Sequence, residues 1–82
     1  MIKVLIADDQ ELIRQSLQIV LNSRPDILVA DVASNGQEAW DIFDQEHIDL
    51  VITDVMMPVL NGYDLVKILR NENPLIPVLM IT

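Results

Sequence analysis

The sequence contains no cysteine, and its 82 residues include one histidine and five basic residues against thirteen acidic ones. Without cysteine, neither a disulfide framework nor a thiolate metal site can form. The formal net charge of -8 argues against this chain gripping a nucleic-acid phosphate backbone by itself. The same charge suits cations or basic partners. The composition therefore excludes thiol chemistry and disfavours direct nucleic-acid binding by this chain.

The sequence also lacks a long apolar run. No stretch approaches the roughly 18–20 apolar residues that a membrane span needs. The apolar run at the amino terminus is short and meets Asp8 and Asp9, which does not fit a signal peptide. There is no repeat, low-complexity tract or linker. We therefore expect one small domain that is soluble and cytoplasmic, without membrane contact.

The chain instead alternates apolar runs with polar turns and amphipathic stretches. Strands are predicted over residues 2–7, 27–33, 50–53 and 77–81, and helices over 10–22, 37–45 and 63–71. Alternating strands and helices predict right-handed βαβ units and a mostly parallel sheet. Continuously apolar strands are typical of a sheet that is covered on both faces. The expected fold class is therefore α/β.

The first predicted helix and the last predicted strand both carry more apolar surface than the chain can cover. At about 100° per residue, the apolar side chains of helix 10–22 spread over about 200°, whereas a helix on one sheet needs about 100°. Strand 77–81 is apolar and has nothing after it to cover it. The sequence therefore predicts the front portion of a larger domain. As a fragment, it is expected to self-associate as a two-fold or swapped dimer.

Three aspartates directly follow two of the predicted strands. Asp8 and Asp9 follow the first strand, and Asp54 follows the third. In an open α/β sheet, ligands bind outside the carboxyl ends of the strands where the connection direction reverses. If these strands are neighbours there, the three carboxylates converge in one cleft and require a cation, for which Mg²⁺ is favoured. The alternative for Asp9 is a plain cap of the following helix.

Two further side chains, those of Thr82 and His47, are candidates for the site. A carboxylate beside Mg²⁺ can act as a nucleophile toward phosphorus, and the hydroxyl of Thr82 would lie at the same rim. The alternative for Thr82 is a frayed terminal residue. His47 has no other histidine or cysteine near it in the sequence, so we interpret it as a surface loop residue rather than a ligand or a phosphorelay site.

Four phrases of the sequence carry a resemblance to a known family. In order and spacing, I-A-D-D-Q-E-L-I-R, N-G-Q-E-A, D-L-V-I-T-D-V-M-M-P-V-L-N-G and I-P-V-L-M-I-T resemble the receiver domain of bacterial two-component response regulators. The resemblance implies a flavodoxin-like parallel sheet with strand order 2-1-3-4. It also implies that the family's fourth helix, fifth strand and fifth helix are missing. Residues 1–82 would then be the amino-terminal portion of a single receiver domain.

The resemblance also implies a role for each candidate site residue. Asp54 corresponds by position to the phosphoacceptor, Asp9 to a direct Mg²⁺ ligand and Asp8 to a ligand acting mainly through water. Met56 corresponds to the residue whose main-chain carbonyl binds Mg²⁺. Thr82 corresponds to the switch hydroxyl that moves toward the phosphoryl group.

The family's phosphate-contacting lysine has no counterpart in this sequence. Lys3 opens the first predicted strand and Lys67 lies on the third predicted helix, so neither takes its place. This departure favours an alternative in which the chain is an inactive fragment.

By the same resemblance, the chain is a phosphorelay switch rather than a turnover enzyme, with a sensor histidine kinase as its phosphate donor. The phrases A-D-D-Q-E-L-I-R and L-N-S-R-P-D-I resemble regulators with a LuxR-type helix-turn-helix, so an absent output module would bind DNA. A remote alternative is a haloacid-dehalogenase-type phosphatase. That chemistry requires an Asp-x-Asp pair after one strand, whereas Asp8 and Asp9 are adjacent.

Overall fold

The computed structural model describes residues 1–81, so Thr82 lies outside the described residues. Along the chain the elements are β1 (Ile2–Ala7), α1 (Glu11–Asn22), β2 (Ile27–Ala33), α2 (Gly36–Gln45), β3 (Leu50–Asp54), α3 (Gly62–Glu72) and β4 (Val78–Ile81). Each predicted strand and helix is present, in the predicted order. Each boundary lies within one residue of its predicted place. The prediction of an α/β fold is confirmed.

The four strands form one parallel sheet in the order β2-β1-β3-β4. This is the strand order that the family resemblance implied. The chain runs from β1 to β2 on one side and then crosses to β3 on the other side of β1, so the connection direction reverses between β1 and β3. Ala7 pairs with Thr53 at the carboxyl ends of these two strands. The reversal therefore lies where the candidate aspartates follow their strands.

Apolar side chains cover both faces of the sheet. Beneath α2 and α3, the buried residues are Leu5, Ala7, Ala33, Ala39, Ile48, Val51, Met57, Leu65, Leu69 and Ile76. On the face toward α1 they are Val4, Ile6, Val29 and Ile52, with Leu17 and Leu21 packed against them. Successive residues of β1 point to opposite faces, and both faces are covered. The continuously apolar run from Val4 to Ala7 is the result.

Part of the apolar surface remains exposed, as the wide apolar arc of the first predicted helix indicated. On α1, the exposed fractions of Leu12, Ile19 and Val20 are 73%, 72% and 63%. On β4, which lies at one edge of the sheet formed by residues 1–81, Leu79 is 53% exposed. In residues 1–81, no helix is both long and apolar enough to cross a membrane.

Candidate functional site

The three aspartates that follow β1 and end β3 lie together at the carboxyl edge of the sheet. Asp8, Asp9 and Asp54 each offer a carboxylate oxygen, and these oxygens all lie within 4.8 Å of one another. Their convergence follows from the pairing of β1 with β3, which brings the two strand ends side by side. This cluster of three carboxylates is termed the acidic pocket.

The acidic pocket opens into a cavity of about 180 Å³. Asp8 and Asp54 line this cavity together with Gln10, Ile13 of α1 and Ile81 of β4. The carboxylates therefore face apolar side chains from a helix on one side and an edge strand on the other. Apolar walls strengthen electrostatic interactions because they exclude the water that screens them.

Asp8 is buried, with an exposed fraction of 3%, and hydrogen bonds hold it at three points. Its main-chain N–H donates to the carbonyl of Ala33 at 3.0 Å. Its Oδ1 accepts the main-chain N–H of Gln10 at 2.9 Å. Its main-chain carbonyl accepts Nη1 of Arg14 at 2.7 Å. The turn between β1 and α1 is therefore fixed from the sheet, from its own main chain and from the helix.

The electrostatic environment disfavours the charged form of Asp8. Burial raises the pKa of Asp8 above its ordinary value, and the carboxylates of Asp54 and Asp9 raise it further. The hydrogen bond from Gln10 and the charge of Arg14 lower the pKa, but they do not offset the increase. The acidic pocket thus holds negative charge that the surrounding residues neutralise only in part.

This arrangement fits a hard divalent cation. The donor set consists of carboxylate oxygens, which Mg²⁺ prefers, and it contains no sulfur or imidazole. A cation would also neutralise the like charges that raise the pKa of Asp8. The residues present therefore fit Mg²⁺, on the chemistry of the donors and on the uncompensated charge.

The geometry does not support the capping alternative for Asp9. Helix α1 begins at Glu11 with Gln10 at the N-cap position, so Asp9 does not occupy the capping position, and the side chain of Gln10 makes no capping hydrogen bond. Asp9 is exposed, and its carboxylate belongs to the acidic pocket instead. Helices α2 and α3, by contrast, are capped by the side chains of Asn35 and Asn61.

Asp54 is held by its own neighbours. Its Oδ1 accepts the main-chain N–H of Val55 at 2.7 Å, and its main-chain carbonyl accepts the hydroxyl of Thr53 at 2.9 Å. A β-carbon at Gly62 would lie 2.1 Å from that carbonyl oxygen. Glycine at the start of α3 therefore lets the helix approach the residue that we consider as phosphoacceptor. Met56 follows in the same loop, with its side chain exposed.

The loop after β3 contains a strained turn. The main-chain N–H of Leu60 donates to the carbonyl of Pro58 at 2.7 Å, which closes a three-residue turn around Val59. Val59 has a φ of 68°, and a hydrogen bond between residues two apart with positive φ at the centre defines the rare classic γ-turn. A β-branched side chain is disfavoured at such a φ. No pattern in the sequence indicated this strain.

The remaining candidates lie outside the acidic pocket. Lys3 is the second residue of β1, at the amino-terminal end of the strand and away from the aspartates, and its main-chain N–H donates to Asp49 Oδ2 at 2.9 Å. Lys67 lies on α3, with its Nζ 4.0 Å from Asp64 Oδ1. His47 is exposed and contacts Asp49 Oδ1 at 2.8 Å. The structure thus places His47 on the surface, as predicted, and neither lysine beside the aspartates. Thr82, the predicted switch hydroxyl, lies outside the described residues.

Sequence reasoning missed four residues at the site. Arg14 and Gln10 hydrogen-bond Asp8, and Ile13 and Ile81 line the cavity. Arg14 fell on the polar arc of the first helix, which gave it no role beyond contact with solvent. The available signal was an arginine in the opening turns of a helix that directly follows two aspartates.

Comparison with known proteins identifies relatives along the whole chain. The response regulator receiver domain family model matches residues 4–82. The transcriptional regulatory protein LnrK of Bacillus subtilis is 39% identical over 82 residues, which cover 100% of this chain and 37% of that protein. A protein-glutamate methylesterase/protein-glutamine glutaminase 1 of Methanosarcina mazei is 41% identical over 80 residues, which cover 98% of this chain and 22% of that protein.

Solved structures agree with the sequence matches. The response regulator domain of Thermotoga maritima CheB aligns with a TM-score of 0.92 and 32% identity, over 98% of this chain and 59% of that one. The chain spans well under half the length of the two curated relatives. Family match, identity and strand order together show that this chain belongs to the response regulator receiver domain family.

Proposed function

We propose that this chain is part of a phosphorelay switch in which Asp54 accepts a phosphoryl group from a sensor histidine kinase in a Mg²⁺-dependent reaction. The observation that carries the proposal is the convergence of three carboxylates within 4.8 Å at the carboxyl edge of a receiver-family sheet. A plain structural role does not require three like charges in one place, because their repulsion costs stability.

The proposed roles of the residues follow from their positions. Asp8, Asp9, Asp54 and the main-chain carbonyl of Met56 would hold Mg²⁺. When bound, Mg²⁺ supplies positive charge that offsets the negative charge of the transferring phosphoryl group. The hydroxyl of Thr82 would hydrogen-bond the phosphoryl group after transfer and act as the switch.

The nucleophile is one carboxylate oxygen of Asp54. It forms a bond to phosphorus while the bond between phosphorus and the donor breaks, and the donor leaves with that electron pair. The N–H of Val55 already occupies Oδ1 of Asp54. A hydrogen-bonded oxygen is the weaker nucleophile, so we assign the attack to Oδ2, and the second lone pair of Oδ1 stays available to Mg²⁺. The proposed result is an aspartyl phosphate on the chain itself, so the chain is not a turnover enzyme.

The wider setting of the switch is also part of the proposal. The alignment with the CheB response regulator domain covers 98% of this chain and 59% of that one, which supports residues 1–82 as the amino-terminal portion of a single receiver domain. LnrK is named a transcriptional regulatory protein, which supports DNA binding by an output module outside this chain. We expect phosphate transfer to take place in the cytoplasm.

A second candidate is an inactive fragment that self-associates as a two-fold or swapped dimer. The exposed apolar side chains of Leu12, Ile19 and Val20 on α1 and of Leu79 on β4 favour it. The two candidates differ in whether the acidic pocket works within residues 1–82. Since the chain belongs to the receiver family, the haloacid-dehalogenase alternative has no observation in its favour.

The deciding experiment is intact mass spectrometry after incubation with acetyl phosphate and Mg²⁺. We expect a phosphoryl adduct on the unaltered chain, none on Asp54→Asn, and none when EDTA replaces Mg²⁺. Asp64→Asn on α3 is the matched control, because it removes an aspartate outside the acidic pocket and should leave the adduct unchanged. Absence of an adduct on the unaltered chain would favour the inactive fragment.

A further inference from the structure

We propose that Arg14 is a positioning residue that aims the Asp8 carboxylate into the acidic pocket by holding the main chain of Asp8 from helix α1. The inference rests on the Mg²⁺ site of the proposed function. Arg14 is half-buried, and its Nη1 donates to the main-chain carbonyl of Asp8 at 2.7 Å. Arg14 would act on the cation through Asp8 and would not touch it.

The hydrogen bonds of Asp8 show how its main chain sets the direction of its carboxylate. The main-chain N–H donates to the carbonyl of Ala33 of β2, Oδ1 accepts from Gln10, and the main-chain carbonyl accepts from Arg14. Within residues 1–81 these bonds leave Oδ2 without a hydrogen-bond partner. The three bonds restrict rotation of the main chain and of the side chain, and so they set the direction of that free oxygen. A metal ligand that is fixed before binding loses less conformational entropy when the cation binds.

The β1–α1 turn has little else to hold it from the helix side. The side chain of Gln10, the N-cap residue of α1, makes no capping hydrogen bond, whereas Asn35 and Asn61 cap the other two helices. Arg14 reaches back six residues, past the first turn of α1, to the end of β1. The hydrogen bond from its guanidinium thus ties α1 to Asp8 itself, where the other helices have a side-chain cap.

Charge and positioning predict opposite results when Arg14 is replaced. The guanidinium is positive and close enough to lower the pKa of Asp8. If charge were its whole effect, removing it would tighten Mg²⁺ binding, because a repelling cation would be gone. If positioning dominates, removing it weakens Mg²⁺ binding, because Asp8 can then rotate. The sign of the change therefore separates the two roles.

The chain supplies a matched control for the loss of such a bond. Nη1 of Arg70 also donates to a main-chain carbonyl six residues away, that of Ile76. Ile76 precedes β4, so this bond lies at the amino-terminal ends of the strands, whereas the acidic pocket lies at their carboxyl ends. Arg70→Gln removes a bond of the same kind without touching Asp8.

The test is the Mg²⁺ dissociation constant of the whole chain, measured by calorimetric titration, together with urea unfolding in EDTA. We expect Arg14→Gln to raise the dissociation constant by about tenfold, the lower end for partners of metal ligands. Arg14→Lys keeps the charge but has a single donor group, and should give an intermediate value. Arg70→Gln should lower the stability in urea but leave the dissociation constant unchanged.

An unchanged or lower Mg²⁺ dissociation constant for Arg14→Gln overturns the proposal. So does an Arg70→Gln variant whose dissociation constant rises as much as that of Arg14→Gln. If Arg14→Gln does not fold, Arg14→Lys decides the question. A dissociation constant higher than that of the unaltered chain supports positioning, and an equal or lower one overturns it. Failure of the unaltered chain to bind Mg²⁺ would instead overturn the proposed metal site, and this inference with it.

Discussion

The main-chain N–H of Gly36, the first residue of α2, donates a 2.9 Å hydrogen bond to the carbonyl of Leu60 in the loop after β3. A β-carbon at Gly36 would lie 2.3 Å from the same oxygen. Glycine is therefore required for this approach between two main-chain segments. The contact joins the start of α2 to the loop that follows Asp54, so a movement of that loop would reach the helix directly.

Replacing Gly36 by alanine should destabilise the fold by about 1–3 kcal/mol, the usual cost of forcing an extra carbon into a packed site. The loop main chain would have to move away, and the hydrogen bond to Leu60 would lengthen. Urea unfolding in EDTA measures the change. Gln37→Ala, at the neighbouring exposed position, should stay within about 0.5 kcal/mol. Equal effects at the two positions would contradict the steric explanation.

Val59→Gly should stabilise the protein despite deleting a side chain. Val59 is exposed and sits at a φ of 68°, where backbone strain costs about 1–3 kcal/mol, while glycine adds about 0.5–1 kcal/mol of unfolded-state entropy. The expected net gain is about 1 kcal/mol in urea unfolding. Val59→Ala retains a β-carbon at the same φ and should gain less. If alanine matches glycine, the valine side chain and not the φ is the source of strain.

The fold could be predicted because its signals are carried by periodicity. Residues Val4 to Ala7 of β1 are continuously apolar because both faces of the sheet are covered there. The amphipathic stretches between the strands predict the helices. The three-carboxylate cluster could be predicted for a related reason. Asp8 and Asp54 lie at the carboxyl ends of their strands, so they come close together once β1 and β3 are neighbours.

Other features could not be predicted because they depend on side-chain reach and on local backbone angles. The link from Arg14 to the carbonyl of Asp8 requires knowing how α1 lies against the end of β1. The positive φ of Val59 goes against its residue type, which favours extended backbone, so tertiary contacts of the loop override local preference. The near-complete burial of Asp8 could not be predicted either, because a charged residue type indicates an exposed side chain.

Without Mg²⁺, Asp8→Asn should be more stable than the unaltered chain at neutral pH. Burial and the neighbouring carboxylates raise the pKa of Asp8 in the folded state. A raised carboxylate pKa means that the folded state takes up the proton more readily than the unfolded state. The unaltered chain should therefore gain stability as the pH falls from neutral through that raised pKa, and Asp8→Asn should lack this part of the gain.

Thermal unfolding in EDTA across this pH range measures the difference. Asp44→Asn is the control, since Asp44 is exposed on α2, away from the acidic pocket. With Mg²⁺ the order should reverse, because a cation that binds only the folded state stabilises the unaltered chain more than the variant. An Asp8→Asn variant that is less stable than the unaltered chain in EDTA at neutral pH would rule out the proposed charge repulsion.

Self-association through β4 should be sensitive to Leu79. The strand Val78–Ile81 is apolar, lies at one edge of the sheet in residues 1–81, and leaves Leu79 53% exposed. An apolar edge strand is a template for pairing with another copy. A lysine at this position would have to be desolvated in any dimer that covers the strand. Leu79→Lys should therefore weaken self-association by at least about tenfold, or about 1.4 kcal/mol.

Sedimentation equilibrium over a range of concentrations gives the dissociation constant of the dimer. Leu28→Lys is the matched control, because Leu28 lies on β2 at the opposite edge of the sheet and is 40% exposed. It should leave the dissociation constant unchanged if pairing involves β4 alone. Equal weakening by both variants would show that association does not depend on β4 in particular, because one added positive charge on a chain of net charge -8 reduces repulsion between copies. A monomeric unaltered chain at every concentration would remove the dimer altogether. A difference confined to Leu79 would locate the interface on β4, because the two substitutions change charge and hydrophobicity equally.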